Sequence, residues 1–520
     1  MRHIPRAIRR LFCLIVSLGV LAGCGVAGLP GDSGRETVGQ PTLPALTLPG
    51  DDWGYPSPFA FYARGPGYVR MSLLFDTLTW KDAEGLIPWL ADDWTTSEDG
   101  TVWTFKLHPD VTWHDGNRLT AKDVAFTYTY FKAQRSLVTW SWPLDRIDTA
   151  EAVDEETVRI TLTEPVAGAH DVLFGSLPIL PQHIWEGIDD PLKALGEEVV
   201  IGSGPFTLAE YSKEEERYVY MAHPGYFKGG PRVSSLVFIK VENEALALKS
   251  GTTDYAAFSG KAIEAAKQFA DDPELGIIEG PGYWVLQLIY NTSRPPFDNV
   301  ALRRAVAHAI DRRRIVTQVT LDGAVVAELG VLSPETDWHH PDLPTYDHNP
   351  DEARRLLSQA TEAAKLLPLT LIATAEYARE AELIQADLAE IGFPITVQVG
   401  DTGTLDGLLR EGNFDVAING HGGLANPAIL ESPTWPAMVY QNEVYRLIYE
   451  AQAQLSDDDA RRPLVWQLQE MIASDLPVLT LWHPKMWTVY RSAKLDTWFY
   501  TPEGVGFGIP LAMNKLSFID

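Results

Sequence analysis

The chain has 520 residues, with 70 acids against 42 lysines and arginines, a net charge of −28 at pH 7, and two cysteines. A surface so acidic is repelled by phosphate backbones and anionic lipid heads, so nucleic acid is excluded as a partner. Length sets an expectation of about three domains at ~150 residues each.

Arg2, Arg6, Arg9 and Arg10 precede an apolar run from Leu11 to Ala22, followed by Leu21-Ala22-Gly23-Cys24. The run is shorter than the ~20 residues needed to cross a bilayer, so residues 1–23 read as a secretory signal peptide. A cysteine at the cut makes Cys24 a candidate lipidated first residue of the exported chain; a plain signal or an uncleaved anchor are the alternatives. The other cysteine, Cys13, lies inside the run. The exported body would then have no thiol, which excludes disulfides, redox chemistry and cysteine-held metals. Residues 24–50 are rich in Gly, Pro, Ser and Thr and read as a flexible tether.

An aromatic cluster follows: Trp53, Tyr55, Phe59, Phe61 and Tyr62. Such side chains offer flat apolar area with a polar handle, for packing or for lining a pocket, and Tyr55 and Phe59 are taken as candidate ligand contacts. From Leu90 to Tyr130 several local rules agree. Ser97 to Gly100 is a turn, Trp103, Phe105 and Leu107 alternate as in a strand, and His114-Asp115-Gly116-Asn117 is a second turn. Thr120 with Asp123 forms a capping box that opens a helix, with Val124, Tyr128 and Phe131 on one face.

Further helices are marked by their ends. One runs from Val300 to Arg312 after Asp298 or Asn299, burying Val306, Ala309 and Ile310 with its arginines outward. Another begins at Asn349-Pro350, and a third runs from Tyr377 to Ile391 and stops at Gly392. A fourth, Val444 to Leu455, carries Leu447, Ile448 and Ala451 on one stripe. Strands and helices alternate throughout, so the fold class is α/β.

Several blocks, in order, resemble the bacterial extracellular solute-binding proteins of family 5, which serve peptide and nickel ABC importers. The block from Leu90 to Tyr130 is joined by IGSGPFTLAEY (201–211), LALKSGTTDYAAF (246–258), LIYNTSRPPFDNVALRRAVAHAIDRRRIV (288–316) and YDHNPDEARRLLSQA (346–360). LAEIGFPITVQ (388–398), FDVAINGHGG (414–423) and a final block from Glu443 to Pro477 complete the set.

The resemblance implies a two-lobed, periplasmic-binding-protein-like architecture of the type II, three-domain class, with a hinge and a central ligand cleft. Lobe I would comprise 51–79, 204–290 and 490–520, with a subdomain inserted at 80–203; lobe II would be 291–489. It implies a lipid-anchored, exported or periplasmic monomer that binds a small molecule, peptide or oligosaccharide. Its partners would be a membrane permease pair and separate cytoplasmic ATPase subunits, with the lipid as its sole contact with the membrane.

The residues argue against competing chemistries. No phosphate-cradling G-x-x-x-x-G-K-[ST] is present, and His421-Gly422-Gly423 lacks the G-x-S-x-G elbow that an esterase would need. His339-His340, His108 and His114 do not match metal-ligand spacings. No catalytic residue, metal or cofactor is assigned, and an exported hydrolase is the rival of another class. For the ligand, the resemblance places Tyr283 and Trp284 beside the hinge with Asn291 at the crossing. In the peptide-binding branch the segment corresponding to 413–430 supplies an aspartate for the ligand's α-ammonium group, yet Val416 to Leu430 contains no acid. Asn419, His421 and Asn426 remain there as neutral polar candidates, favouring either a replaced acid or a ligand without an amine.

Overall fold

The computed structural model describes residues 41–61, 65–138, 142–360, 368–434, 436–455, 457–506 and 508–519. The signal peptide, Cys24 and Tyr62 lie outside the described residues.

Local chemistry builds the elements as expected where it is unambiguous. Thr120 donates its backbone N–H and its hydroxyl to Asp123, at 2.8 and 3.0 Å, and the helix Ala121–Ala133 follows. Val124, Tyr128 and Phe131 on that helix are fully buried; Val124 and Phe131 each contribute about 1.5–3 kcal/mol by leaving water. The helix packs on an antiparallel sheet ordered Ala91–Thr96, Val102–Leu107, Thr157–Leu162, Ile147–Ala152.

A second four-stranded sheet is ordered Leu46–Pro49, Ser235–Ile239, Arg217–Ala222, Phe206–Ser212. Its first strand corrects the tether expected over 24–50: Leu46 and Leu48 are buried, and the strand runs parallel to Ser235–Ile239. Two inward leucines at alternate positions were hidden in a Pro- and Gly-rich surrounding. One large apolar core spans both of these sheets.

A three-stranded antiparallel sheet, Tyr255–Ser259, Met486–Arg491, Leu275–Gly280, adjoins them and has its own small core. The remaining body is a six-stranded sheet ordered Ala324–Val326, Val478–Pro484, Trp284–Tyr290, Val416–Gly422, Thr370–Thr374, Thr396–Gly400. Separate apolar cores cover its two faces.

The chain passes between the last two sheets twice, once through Pro281-Gly282-Tyr283 and once at Lys485. The boundaries expected at 290 and 489 are therefore displaced. Trp284–Tyr290 pairs along its length with Val416–Gly422 and belongs to the six-stranded sheet, whereas Met486–Val489 pairs with the three-stranded one. Strand partners, not sequence blocks, decide where a lobe ends.

Two helices depart from the expected pattern. Val300–Ala309 starts at Asn299, whose side chain accepts from Ala301 N, but it ends at Ile310, and a new helix, Arg312–Thr320, begins. Arg303 does not face out: it is 5% exposed and its guanidinium donates to the carbonyls of Phe297 and Asp475. On the helix Glu443–Ala453 the inward residues are Tyr445 and Gln452, while Leu447 is 52% exposed.

Candidate functional site

Three segments of the first body reach the region of the two crossings, and three of the second meet them. Lys81, largely buried, places its Nζ 2.7 Å from Asp171 and 3.9 Å from Glu503. Glu503 opens a glycine-rich turn, Glu503-Gly504-Val505-Gly506, closed by a bridge between Val505 and Ile509. Glu503 itself has φ of +57°, sparsely populated for a residue with a side chain, so the surrounding contacts hold it there. A side chain at Gly508 would approach Gly423 Cα of the second body to 3.2 Å; glycine permits this contact between the bodies.

From the second body comes Arg461, whose side chain is 5% exposed, 2.9 Å from Asp458 and stacked on Trp338 at 4.7 Å. Burial lowers its pKa, with Asp458, Tyr449 and Glu503 opposing the shift. Burial raises the pKa of Glu503; Lys81 works against this, and the acids Asp171, Asp458 and Asp337 add to it. The groups that perturb Glu503 thus come from both bodies. Direct bonds also span them: Glu503 N donates to Tyr283 OH at 3.2 Å, and Ala167 N to Ala453 O at 3.2 Å.

At this junction acid exceeds base. Lys81 is taken up by Asp171 and Arg461 by Asp458, while Glu503 has no cation nearer than 3.9 Å among the described residues. The arrangement can hold a cationic group.

The residues expected from sequence divide into two sets. Tyr283 is buried at the first crossing and bonds Glu503; burial raises its pKa, the hydrogen bond from Glu503 N opposes the rise, and the charges of Glu335, Glu503 and Asp337 add to it. Trp284 lies flat on Gly420, where a Cβ would stand 1.9 Å from its ring, and packs on Trp482 and Tyr377 with ring centres 5.5 and 6.3 Å apart. Asn419 and His421 sit on the neighbouring strand, opposite Gln287 and Val285. His421 is 6% exposed, and burial lowers its pKa. These four therefore gather about one pair of strands.

The other four do not. Phe59 is a core residue, stacked on Phe131 at 4.8 Å and tilted on Trp185, so its expected ligand contact is corrected to packing. Asn291 is 1% exposed and spent on backbone: it donates to Gly412 O and Phe414 O and accepts from Ser293. Asn426 accepts from Ala428 N as a cap. Tyr55 donates to Gly196 O and meets Tyr211 edge-on, apart from the junction. Lys81, Arg461 and Glu503 were missed; the Glu-Gly-Val-Gly-Phe-Gly run at 503–508 was the available signal. Among the described residues no group of three or more His, Cys, Asp or Glu could hold a metal ion, and no helix is long and apolar enough to cross a membrane.

Known proteins share this plan. Residues 85–430 match the family model of bacterial extracellular solute-binding proteins, family 5 Middle. Heme-binding protein A of Haemophilus influenzae is 29% identical over 361 residues, 62% of this chain and 64% of that protein. The dipeptide-binding protein of Escherichia coli is 28% identical over 367 residues, 64% of this chain and 67% of that one. The chain thus spans about two thirds of the length of these curated relatives. Among solved structures, the ABC transporter substrate binding protein CtaP of Listeria monocytogenes superposes with a TM-score of 0.76 at 22% identity, covering 91% of this chain and 98% of that one. The periplasmic binding protein DppA of Helicobacter pylori, in complex with a peptide, gives 0.74 at 23%, covering 90% and 97%. NikA of Brucella suis, in complex with Fe(III)-EDTA, gives 0.77 at 19%, covering 90% and 99%. The family match over most of the chain and the superposed architecture agree: the chain belongs to the bacterial extracellular solute-binding proteins of family 5 and has their two-lobed fold.

Proposed function

We propose that this chain is the extracytoplasmic receptor of an ABC importer, held to the membrane through a lipid on Cys24, and that it captures short peptides between its lobes for a permease. The observation that carries this reading is the convergence of Lys81, Asp171 and Glu503 from one lobe with Asp458 and Arg461 from the other, at a junction crossed twice by the chain. A guest touching both sets is held best when the lobes meet, so binding favours the closed arrangement.

The excess of acid selects a guest with a cationic end. Glu503 supplies the carboxylate that the stretch Val416 to Leu430 lacks, and a peptide ammonium group would offset the acidic neighbours that destabilise its charge. Relatives named for dipeptide and for di/tripeptide binding support the peptide class.

Native mass spectrometry of gently purified protein tests the reading. A ladder of peptide masses is expected; a sugar mass, or an empty protein that turns over an added substrate, would replace it with the neutral-solute or hydrolase alternative. Glu503→Gln should then weaken binding of a free-amine peptide and leave its N-acetylated form little changed.

A further inference from the structure

Beside the crossings lies a cavity of about 240 Å³ that the peptide reading does not use. Its walls come from both lobes: Glu279 from the three-stranded sheet, Val325, Ser333, Glu335 and His483 from the other lobe, and Lys485 from the second crossing itself.

The polar groups of this wall are unevenly satisfied. Glu335 Oε2 accepts from Gly282 N at 2.9 Å, fastening the first crossing, and its other oxygen is unspent. Glu279 is held in the sheet by its backbone, opposite Trp487, and its side chain makes no ion pair or hydrogen bond among the described residues. Lys485 Nζ donates to Asp322 O at 2.9 Å and has no carboxylate partner among the described residues.

His483 is 2% exposed, and its Nδ1 lies 2.9 Å from Trp284 O. A carbonyl only accepts, so Nδ1 carries the hydrogen, and the neutral ring leaves Nε2 as an acceptor. That atom is buried without a partner. With almost no accessible surface, it faces packed protein and lies out of reach of a guest in the cavity. The wall therefore offers a guest acceptors from Glu279 and Glu335 and donors from Lys485 and Ser333.

We propose that this hinge cavity is a second binding site, for a small zwitterion of the size of a free α-amino acid, with the ammonium group on Glu335 and Glu279 and the carboxylate on Lys485 and Ser333. The volume lies below that of pockets for drug-sized ligands, which favours so small a guest. Because the wall draws on both lobes and on both crossings, an occupant keeps all of its contacts in one lobe arrangement only. Its binding therefore shifts lobe closure, and cleft occupancy must shift its affinity in return.

Titration calorimetry of the full chain with L-alanine tests this, with propylamine and acetate as half-ligands. Saturable binding of L-alanine is expected, with the half-ligands at least tenfold weaker and a change in the radius of gyration by small-angle scattering. Lys485→Glu reverses the carboxylate partner, and Val325→Trp, at a position 45% exposed, covers the mouth. Each should weaken L-alanine by roughly tenfold or more, with circular dichroism and the masses retained in the cleft unchanged. Absence of saturable binding at ~10 mM, or binding indifferent to both variants, would overturn the site; binding without a change in the radius of gyration would overturn the coupling. A protein that retains no peptide but binds L-alanine in this way would sink the peptide reading and leave the hinge site standing.

Discussion

Asp76 is completely buried, yet it is one of the best-served groups in the molecule. Its carboxylate accepts from Trp89 Nε1 at 2.8 Å, Tyr226 OH at 2.9 Å and Ser203 Oγ at 3.0 Å, and pairs with the equally buried Lys515 at 2.5 Å. The lysine also lies 4.0 Å over the Trp80 ring. Removing one member of such a pair strands the other charge away from water. Lys515→Met should cost about 3–5 kcal/mol in chemical denaturation, far more than loss of an exposed lysine. A loss within ~0.5 kcal/mol, the range of a surface change, would show the pair to be dispensable.

Buried imidazoles shape the acid side of the stability curve. Burial lowers His114 and His483 to about 4, against 6.5 when unfolded. Above 6.5 both states are neutral and the groups contribute nothing to pH dependence. Between 6.5 and 4 only the unfolded chain takes the proton, so stability falls as the pH falls, and below 4 the loss stops growing. Glu335 and Glu503, raised by burial, oppose this trend. The difference between wild type and His114→Asn isolates the ring: the variant's melting temperature should fall less steeply from pH 6.5 to 4.

At the scale of elements, what a short stretch can decide was readable. The Thr120 capping box, the Asn299 and Asn349 caps and the Gly392 stop are each satisfied within a few residues, and the structure places them as expected. Readings that needed a tertiary partner failed. The helix Glu443–Ala453 presents Tyr445 inward because its hydroxyl reaches Leu430 O at 2.5 Å, and this rotates Leu447 to solvent. Leu447→Lys should therefore change stability by no more than ~0.5 kcal/mol, whereas Tyr445→Ala should cost about 3–5 kcal/mol in the same melt. The strand Trp284–Tyr290 was given to the wrong lobe for a similar reason: its apolar run is the same whichever sheet it joins. Of the candidate site, Tyr283 and Trp284 were legible through the resemblance. Lys81 and Glu503 were not, because nothing local in either segment announces the other.

On the proposed function the decisive motion of the whole molecule is of one lobe against the other, and the chain offers a clean way to arrest it. Ala167 N and Ala453 O meet at 3.2 Å across the lobes, and positions 25–520 contain no cysteine. Replacing both alanines by cysteine puts a single pair of thiols at this contact, to be joined by oxidation. Oxidised, this variant should exchange its guest much more slowly than wild type, and reduction should restore the rate; equal rates in both states would mean that entry needs no separation at this edge. A guest at ~100 times its dissociation constant should stabilise the reduced form by about 2.7 kcal/mol, read as a raised melting temperature.

The strand Leu46–Pro49 has a practical bearing on anyone preparing the exported domain. A version trimmed to begin at Asp51 would bare the margin of Ser235–Ile239, a row of backbone donors and acceptors open to a neighbouring molecule, and should precipitate or pair off in solution. Starting near Pro41 keeps that margin covered.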